Sequence, residues 1–332
     1  MRTTFLLTIA LFAAVNANAT IRTLSNNNNS PGQFTTFAAA HTAAVAGDTI
    51  YVHGSPYNYG SFTLSKQLTI IGIGHNPQKQ APLKSFVDYI YFATGSNGSR
   101  VIGMEIYEVH TNAAAINSIE IRLCKVTYRL LLDDASSSNW IVDGCVFSYP
   151  GMNFHGSSSQ SGHRLRNNVF NGYIYNMNGS NGYHYIENNI FLYNGNAFDY
   201  VNPAYVNNNI FYRSSPTGTG TSLTFSNNIS YQCSNNSFAN GTNITNQDPQ
   251  FVSFTGGGPG AYFSYTHDYN LQVTSPAKNY GTDSKDLGVY GGIGDYNQNG
   301  IPRIPYIASF NISNPTVAPG GTLNVDFKAK VR

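Results

Sequence analysis

Four residues suited to acid–base chemistry each follow an apolar neighbour: Asp133 after Leu132, His155 after Phe154, Tyr175 after Ile174 and Asp199 after Phe198. In extended backbone, successive side chains face opposite sides, so if the apolar member points inward the polar member points outward. If residues 130–134, 152–155, 173–177 and 197–200 stack as parallel strands, Asp133, His155, Tyr175 and Asp199 form one outward row at steps of ~4.8 Å. Such a row is a workable acid–base set for a glycan: the imidazole or phenol as base or acid, the carboxylates to tune it or to hold a cation. Arg129, Arg164 and Arg166 could meet a uronate carboxylate. The row depends on a one-residue gap in the segment from Tyr173, since a slip of one residue turns every side chain to the other face. An ordinary polar sheet face is the alternative reading.

The elements that would position this row follow from an internal repeat. Val101-Ile102-Gly103-Met104-Glu105-Ile106 matches Val142-Asp143-Gly144-Cys145-Val146-Phe147, and then Leu165-Arg166-Asn167-Asn168-Val169-Phe170. Ile186-Glu187-Asn188-Asn189-Ile190-Phe191, Val206-Asn207-Asn208-Asn209-Ile210-Phe211 and Phe225-Ser226-Asn227-Asn228-Ile229-Ser230 continue it, with a degenerate copy at residues 121–126. The copies end at 106, 126, 147, 170, 191, 211 and 230, a period near twenty. Helical repeats run to thirty or forty residues and a leucine-rich horseshoe needs a leucine pattern missing here, so each copy reads as one coil of a β-solenoid.

The aligned columns have physical meanings. Gly103, Gly144, Asn167, Asn188, Asn208 and Asn227, with Leu123 as the exception, occupy a column whose residue types tolerate left-handed backbone; it reads as a sharp turn between strands. The next column, Met104, Cys124, Cys145, Asn168, Asn189, Asn209 and Asn228, points inward, where stacked amides satisfy one another along a ladder. Cys124 and Cys145 read there as stacked free thiols in preference to a disulfide, because parallel in-register neighbours point the same way. Cys233 has no assignment. Ile106, Val126, Phe147, Phe170, Phe191 and Phe211 read as a core stack.

At the N-terminal end, Phe34, Phe37, Ala38 and Val45 have helical spacing within residues 34–46, which predicts a helix capping the open end of the solenoid. Strands are expected at residues 49–52 and 67–72. The run from Ala46 to Val52, the turn from Tyr57 to Gly60 and the run from Leu68 to Gly74 resemble the opening of pectate-lyase-like right-handed parallel β-helix proteins. The Asn-Asn-Ile-Phe coils are similar to that superfamily's repeats, and the segments at 248–251, 269–271, 275–277 and 286–291 to the closing part of many exported bacterial members. The resemblance spans roughly residues 34–292. It implies an all-β, right-handed parallel β-helix with functional sites on the outer face of one sheet and its flanking loops. It does not imply one activity, since that superfamily includes lyases, hydrolases, epimerases and adhesins. Its lyases use a basic residue as proton abstractor and calcium held by clustered acids, whereas Lys and Arg are sparse on the proposed sheet here and Asp133-Asp134 is the one acidic cluster found there.

Charged residues make up only 10% of the chain and the net charge is +2, which argues against electrostatic capture of nucleic acid or an anionic membrane. Arg2, the apolar run from Phe5 to Val15 and Ala17-Asn18-Ala19 read as a cleaved export signal over residues 1–19. No later run reaches the ~20 apolar residues of a transmembrane helix. Residues 20–292 are then the β-helix with its cap, and 293–332 a Pro/Gly-rich tail with a terminal strand at 323–331. That tail is expected to pack on the solenoid's C-terminal end or to begin a sandwich domain. Asp295 to Gly300 matches half a calcium loop, but Tyr306 stands where a bidentate Glu is needed, so a polar turn is expected. His110, His163, His184 and His267 have no metal-ligand spacing and read as surface or turn residues. No cofactor is expected. The reading is a secreted or cell-surface β-helix that binds an extracellular polysaccharide or cell-surface glycan, or serves an adhesive role. A polysaccharide lyase or glycoside hydrolase is the alternative. An ice-binding surface would need Thr in successive coils, and Thr217, Thr219, Thr221 and Thr224 crowd into one segment.

Overall fold

A computed structural model describes residues 19–28, 32–78, 83–155, 159–179, 182–255, 262–294, 296–314 and 316–331; the segment expected to be an export signal, residues 1–19, lies outside them but for Ala19, and so does Asp295. The described chain is a right-handed parallel β-helix. One sheet of ten parallel strands runs from Ile21–Leu24 through Thr49–Val52 and Thr69–Ile71 to Leu223–Ser226. A second sheet has twelve strands. In its lower coils the strands are long, as in Phe86–Phe92, Glu105–Thr111 and Lys125–Leu132. In the next coil the path divides into Val146–Phe147 and Gly151–Phe154, because Pro150 between them has no N–H to give the ladder.

The turn column adopts left-handed backbone throughout: φ is 68° at Gly103, 66° at Gly144 and 52–61° at Asn167, Asn188, Asn208 and Asn227. Leu123 shares that conformation at 51°, so the exception in sequence is no exception in shape. The inward ladder is continuous. Asn168 Nδ2 donates to Asn189 Oδ1, Asn189 Nδ2 to Asn209 Oδ1 and Asn209 Nδ2 to Asn228 Oδ1, each at 3.0 Å. Each Oδ1 also accepts the backbone N–H of the Asn one coil below, and Asn243, which the repeat does not reveal, closes the series by accepting from Asn228 at 2.8 Å. Cys124 and Cys145 sit in this column as buried free thiols, and Cys233 is a third, its Sγ 3.1 Å from the Ser214 carbonyl.

The core stack is in register from Ile106 through Val126, Phe147, Phe170 and Phe191 to Phe211. Its phenyl rings lie 4.9–5.0 Å apart and within 10° of parallel. Burial of each such side chain contributes roughly 1.5–3 kcal/mol. The Ile or Val before each Phe, and Ile229 before Ser230, faces the opposite way, and Val169, Ile190, Ile210 and Ile229 are nonetheless fully buried. They form a second core, outside the coil, beneath Phe251, Tyr269, Leu271, Leu287 and Val289.

That cover belongs to a strap formed by the closing segment, which turns back along the solenoid. Tyr280 O accepts from Asn227 Nδ2, the Thr282 N–H donates to Asn208, and Val289 and Gly291 carbonyls accept from Asn167 Nδ2. Farther along, Asn299 O accepts the backbone N–H groups of His75 and Asn76. The turn-column amides are therefore also the clamps for the strap. The strap runs toward the N-terminal coils, not onto the C-terminal end, and its docking extends past residue 292. The expected terminal strand is present as Val325–Val331, but it pairs antiparallel with Pro305–Ile312, a partner hidden in the Pro-rich stretch.

The capping helix is Phe37–Ala43, shorter than its spacing suggests, with Thr36 as N-cap accepting from the Ala39 N–H at 3.2 Å. Phe34 is instead bridged to Leu24, where it covers part of the sheet's first edge. His163 and His184 are neither surface nor turn residues. They face into the coil at 0% exposure, stacked 5.1 Å apart and 6° from parallel, because their place in the strand alternation is an inward one. His267 is a buried residue of the strap itself, its Nδ1 3.2 Å from the Tyr269 hydroxyl.

Candidate functional site

The strand register decides which polar residues of the second sheet share a row. Leu132 and Phe154 pair across adjacent strands and both point inward, as expected, but Ile174 pairs with Met152. Asn176 takes a left-handed conformation, φ 59°, and ends its strand two residues early. The proposed row of four therefore splits. Tyr175 lies beside Asp199 and Asn153, in a row that continues through Leu131 to His110 and Tyr91. Asp133 and His155 stand one position beyond the last paired residues and are exposed. The inward–outward parity of the sequence reading holds; its single vertical register does not.

A tighter constellation lies in the lower coils of the same face. Glu108, 3% exposed, accepts from Arg129 Nε at 2.5 Å and lies 3.0 Å from His110 Nε2, both through Oε1. Burial opposes the Arg129 charge, but the Glu108 carboxylate outweighs it and raises the guanidinium above its ordinary value. The His110 ring stacks on Tyr91 at 5.3 Å, with Tyr89 at 5.8 Å. His110 is thus an outer-face strand residue held by a carboxylate, because it follows Val109 in the inward–outward alternation. Glu108 escaped the sequence reading because the chain bends between Ile106 and Glu108, where the strand register shifts. The Glu-x-His pattern at alternate strand positions was the available signal.

The three arginines do not converge. Arg166 is tied to Asp143 at 3.1 Å, and Arg164 lies 4.1 Å from the Tyr185 ring centre, both on the ten-stranded sheet. Asp134 serves the loop after its strand, accepting from the Ser136 and Ser137 N–H groups.

Next to Arg129 the outer face becomes a ribbon of tyrosines. Tyr107 and Tyr128 stack 5.2 Å apart and 10° from parallel, so they present ring edges and hydroxyls to solvent. Tyr149 differs: it is 55% exposed and tilted by 34° and 68° from Tyr193 and Tyr173. It stands between two grooves. One, of about 310 Å³, contains Tyr128, Arg129, Asn153 and Tyr173. The other, of about 440 Å³, contains Lys125, Ser148 and Asn171 together with Tyr262 and Phe263 from the strap. Burial and the neighbouring phenols raise Tyr173 and Tyr193, which keeps both as neutral hydroxyl donors at ordinary pH. An exposed ring flanked by amide, hydroxyl and cationic groups is the chemistry of a saccharide subsite: a ring face for C–H surfaces and donors for hydroxyls.

Among the described residues no group of three or more His, Cys, Asp or Glu side chains could hold a metal, and no helix is long and apolar enough to cross a membrane. No protein-family model and no curated protein matches the chain. Among solved structures, the crystal structure of pectate lyase Pel9A aligns with 85% of this chain and 97% of its own, at 16% identity and a TM-score of 0.49. The chain is similar in outline to that lyase, and its own strand pairing shows the parallel stacked coils of a β-helix.

Proposed function

We propose that this protein is a secreted or cell-surface β-helix that binds an extracellular glycan along its tyrosine-rich outer face, with Tyr149 as the central stacking residue. The observation that carries the reading is the placement of one strongly exposed ring between two grooves lined by Arg129 and Asn153 on one side and Lys125, Ser148 and Asn171 on the other. Calorimetry of the mature protein against neutral and charged oligosaccharides tests it. Binding of at least one glycan class, weakened about tenfold or more in Tyr149→Ala, is expected from the loss of one stacking contact and its buried area. Binding unaffected by that substitution, or none across the panel, overturns it.

A second reading, a polysaccharide lyase or glycoside hydrolase, is favoured by the Glu108 carboxylate held between Arg129 and His110 beside the smaller groove. In it, His110 oriented by Glu108, or the Tyr175–Asp199 pair, would supply acid–base chemistry, with Asp133 and His155 as a separate pair. New unsaturated or reducing ends, lost in His110→Ala or Asp199→Asn, would support it. Glycan binding without turnover favours the first reading.

A further inference from the structure

The larger groove holds a cation out of place in the repeat. Phe86, Glu105, Lys125, Val146, Val169, Ile190, Ile210 and Ile229 form one outward column, each paired with the next. In the upper coils this column is aliphatic and sealed by the strap. At Lys125 it carries an ammonium group instead, while Glu105, the adjacent carboxylate, is bound by Lys84 at 2.5 Å. Lys125 is half-buried and no hydrogen bond or ion pair engages its Nζ among the described residues; its contact is the face of Tyr265, 5.2 Å from the ring centre. Burial pulls it below the ordinary lysine value; the Glu105 charge offsets this in part and Lys84 adds to it. An ammonium whose desolvation is offset only in part is unfavourable, and an arriving anion would relieve that cost.

Two further donors line the same groove. Asn171 uses Oδ1 to accept the Phe263 N–H at 2.7 Å, which turns the donor role to its Nδ2. The Ser148 hydroxyl is the other. The guanidinium of Arg129, the group shaped to grip a planar carboxylate in two-point fashion, belongs to the neighbouring groove, where its Nε is engaged by Glu108. A lysine is a point charge with three donor directions, and with an amide and a hydroxyl around it the fit is to a tetrahedral oxyanion.

We propose that the groove of Lys125, Ser148 and Asn171 takes a sulfate ester on a glycan whose adjacent sugar ring stacks on Tyr149. This deepens the glycan-binding reading and rests on it. The ligand class is therefore a sulfated polysaccharide, distinguished from a neutral one by Lys125 and from a polyuronate by the shape of the donor set.

Sulfated galactan hexasaccharides, the same oligosaccharides after chemical desulfation, and oligogalacturonate of equal length are the probes, measured by calorimetry at two salt concentrations. The sulfated ligand is expected to bind at least about tenfold more tightly than its desulfated counterpart, as one charge-assisted contact provides. The preference should weaken with salt. Lys125→Met should abolish the preference, and Asn171→Asp, which keeps the acceptor for Phe263 but removes the amide donors, should do the same by a second route. Equal binding of sulfated and desulfated ligand, or tighter binding of oligogalacturonate, overturns the sulfate proposal while Tyr149-dependent binding leaves the glycan reading standing. Absence of binding by all three overturns both.

Discussion

His163 and His184 stack inside the coil with ring centres 5.1 Å apart, and among the described residues the ring nitrogens of His184 and the Nε2 of His163 meet no partner within hydrogen-bonding distance. Burial lowers both: His184 to about 4, and His163 well below its usual value, with the charge of His184 adding to the effect. Between pH ~4 and the unfolded value of about 6.5, the unfolded chain therefore binds more protons than the folded one, so stability rises with pH through that window and is lost as pH falls through it. For His184 the difference amounts to about 3 kcal/mol. Urea midpoints at pH 7 and pH 4.5 are expected to diverge in the wild type and to diverge less in His184→Leu, in which His163 stays buried. Equal divergence in that variant would show that other groups set the acid sensitivity.

The asparagine ladder makes a separate prediction. Asn189 accepts from the N–H and Nδ2 of Asn168 and donates to Leu165 O and Asn209 Oδ1. Asn189→Ala leaves several buried groups unpaired and should destabilise the protein by about 2–4 kcal/mol. Asn228, near the end of the ladder and partnered by the half-buried Asn243, should cost less on the same substitution. Denaturant unfolding of the two variants compares them directly; an equal cost would mean that the ladder is no more than a set of independent pairs.

The strap is held by turn-column amides, so fold and strap can be separated by mutation. Asn167→Gly keeps the left-handed turn while removing the two hydrogen bonds to Val289 and Gly291. Limited proteolysis within residues 280–300 is expected to quicken severalfold, with little change in circular dichroism. Asn167→Ala should lose an additional ~1 kcal/mol from backbone strain. Cleavage at the wild-type rate in Asn167→Gly would contradict the clamp.

Glu108→Gln removes the charge that Arg129 and His110 share. Because Arg129 is 29% exposed, water takes over part of the lost partnership, and a cost of about 1–2 kcal/mol is expected, less than for a fully buried pair. Thermal unfolding measures this. If the smaller groove also contributes to the ligand site, Glu108→Gln should alter glycan affinity without abolishing it, since Tyr149 is untouched.

The repeat, its period and the function of each column were readable from residue types alone. A position alternating between Gly and Asn reports a left-handed backbone because few other residues tolerate it, and a run of Asn one place later reports an inward amide ladder because a buried amide must be satisfied. These are local constraints repeated at every coil, so a single chain displays them many times. What local pattern could not decide was register and long-range cover. Asn176 ends one strand early and divides Asp133 and His155 from Tyr175 and Asp199, a shift that depends on how whole coils stack. The aliphatic column Val169, Ile190, Ile210 and Ile229 has the same residue types whether it faces an inner or an outer core; only the strap, whose clamps join residues 53 to 124 positions apart, places it outside. The groove at Lys125 and Tyr149 exists where that cover ends, which is why tertiary structure alone brought its residues together.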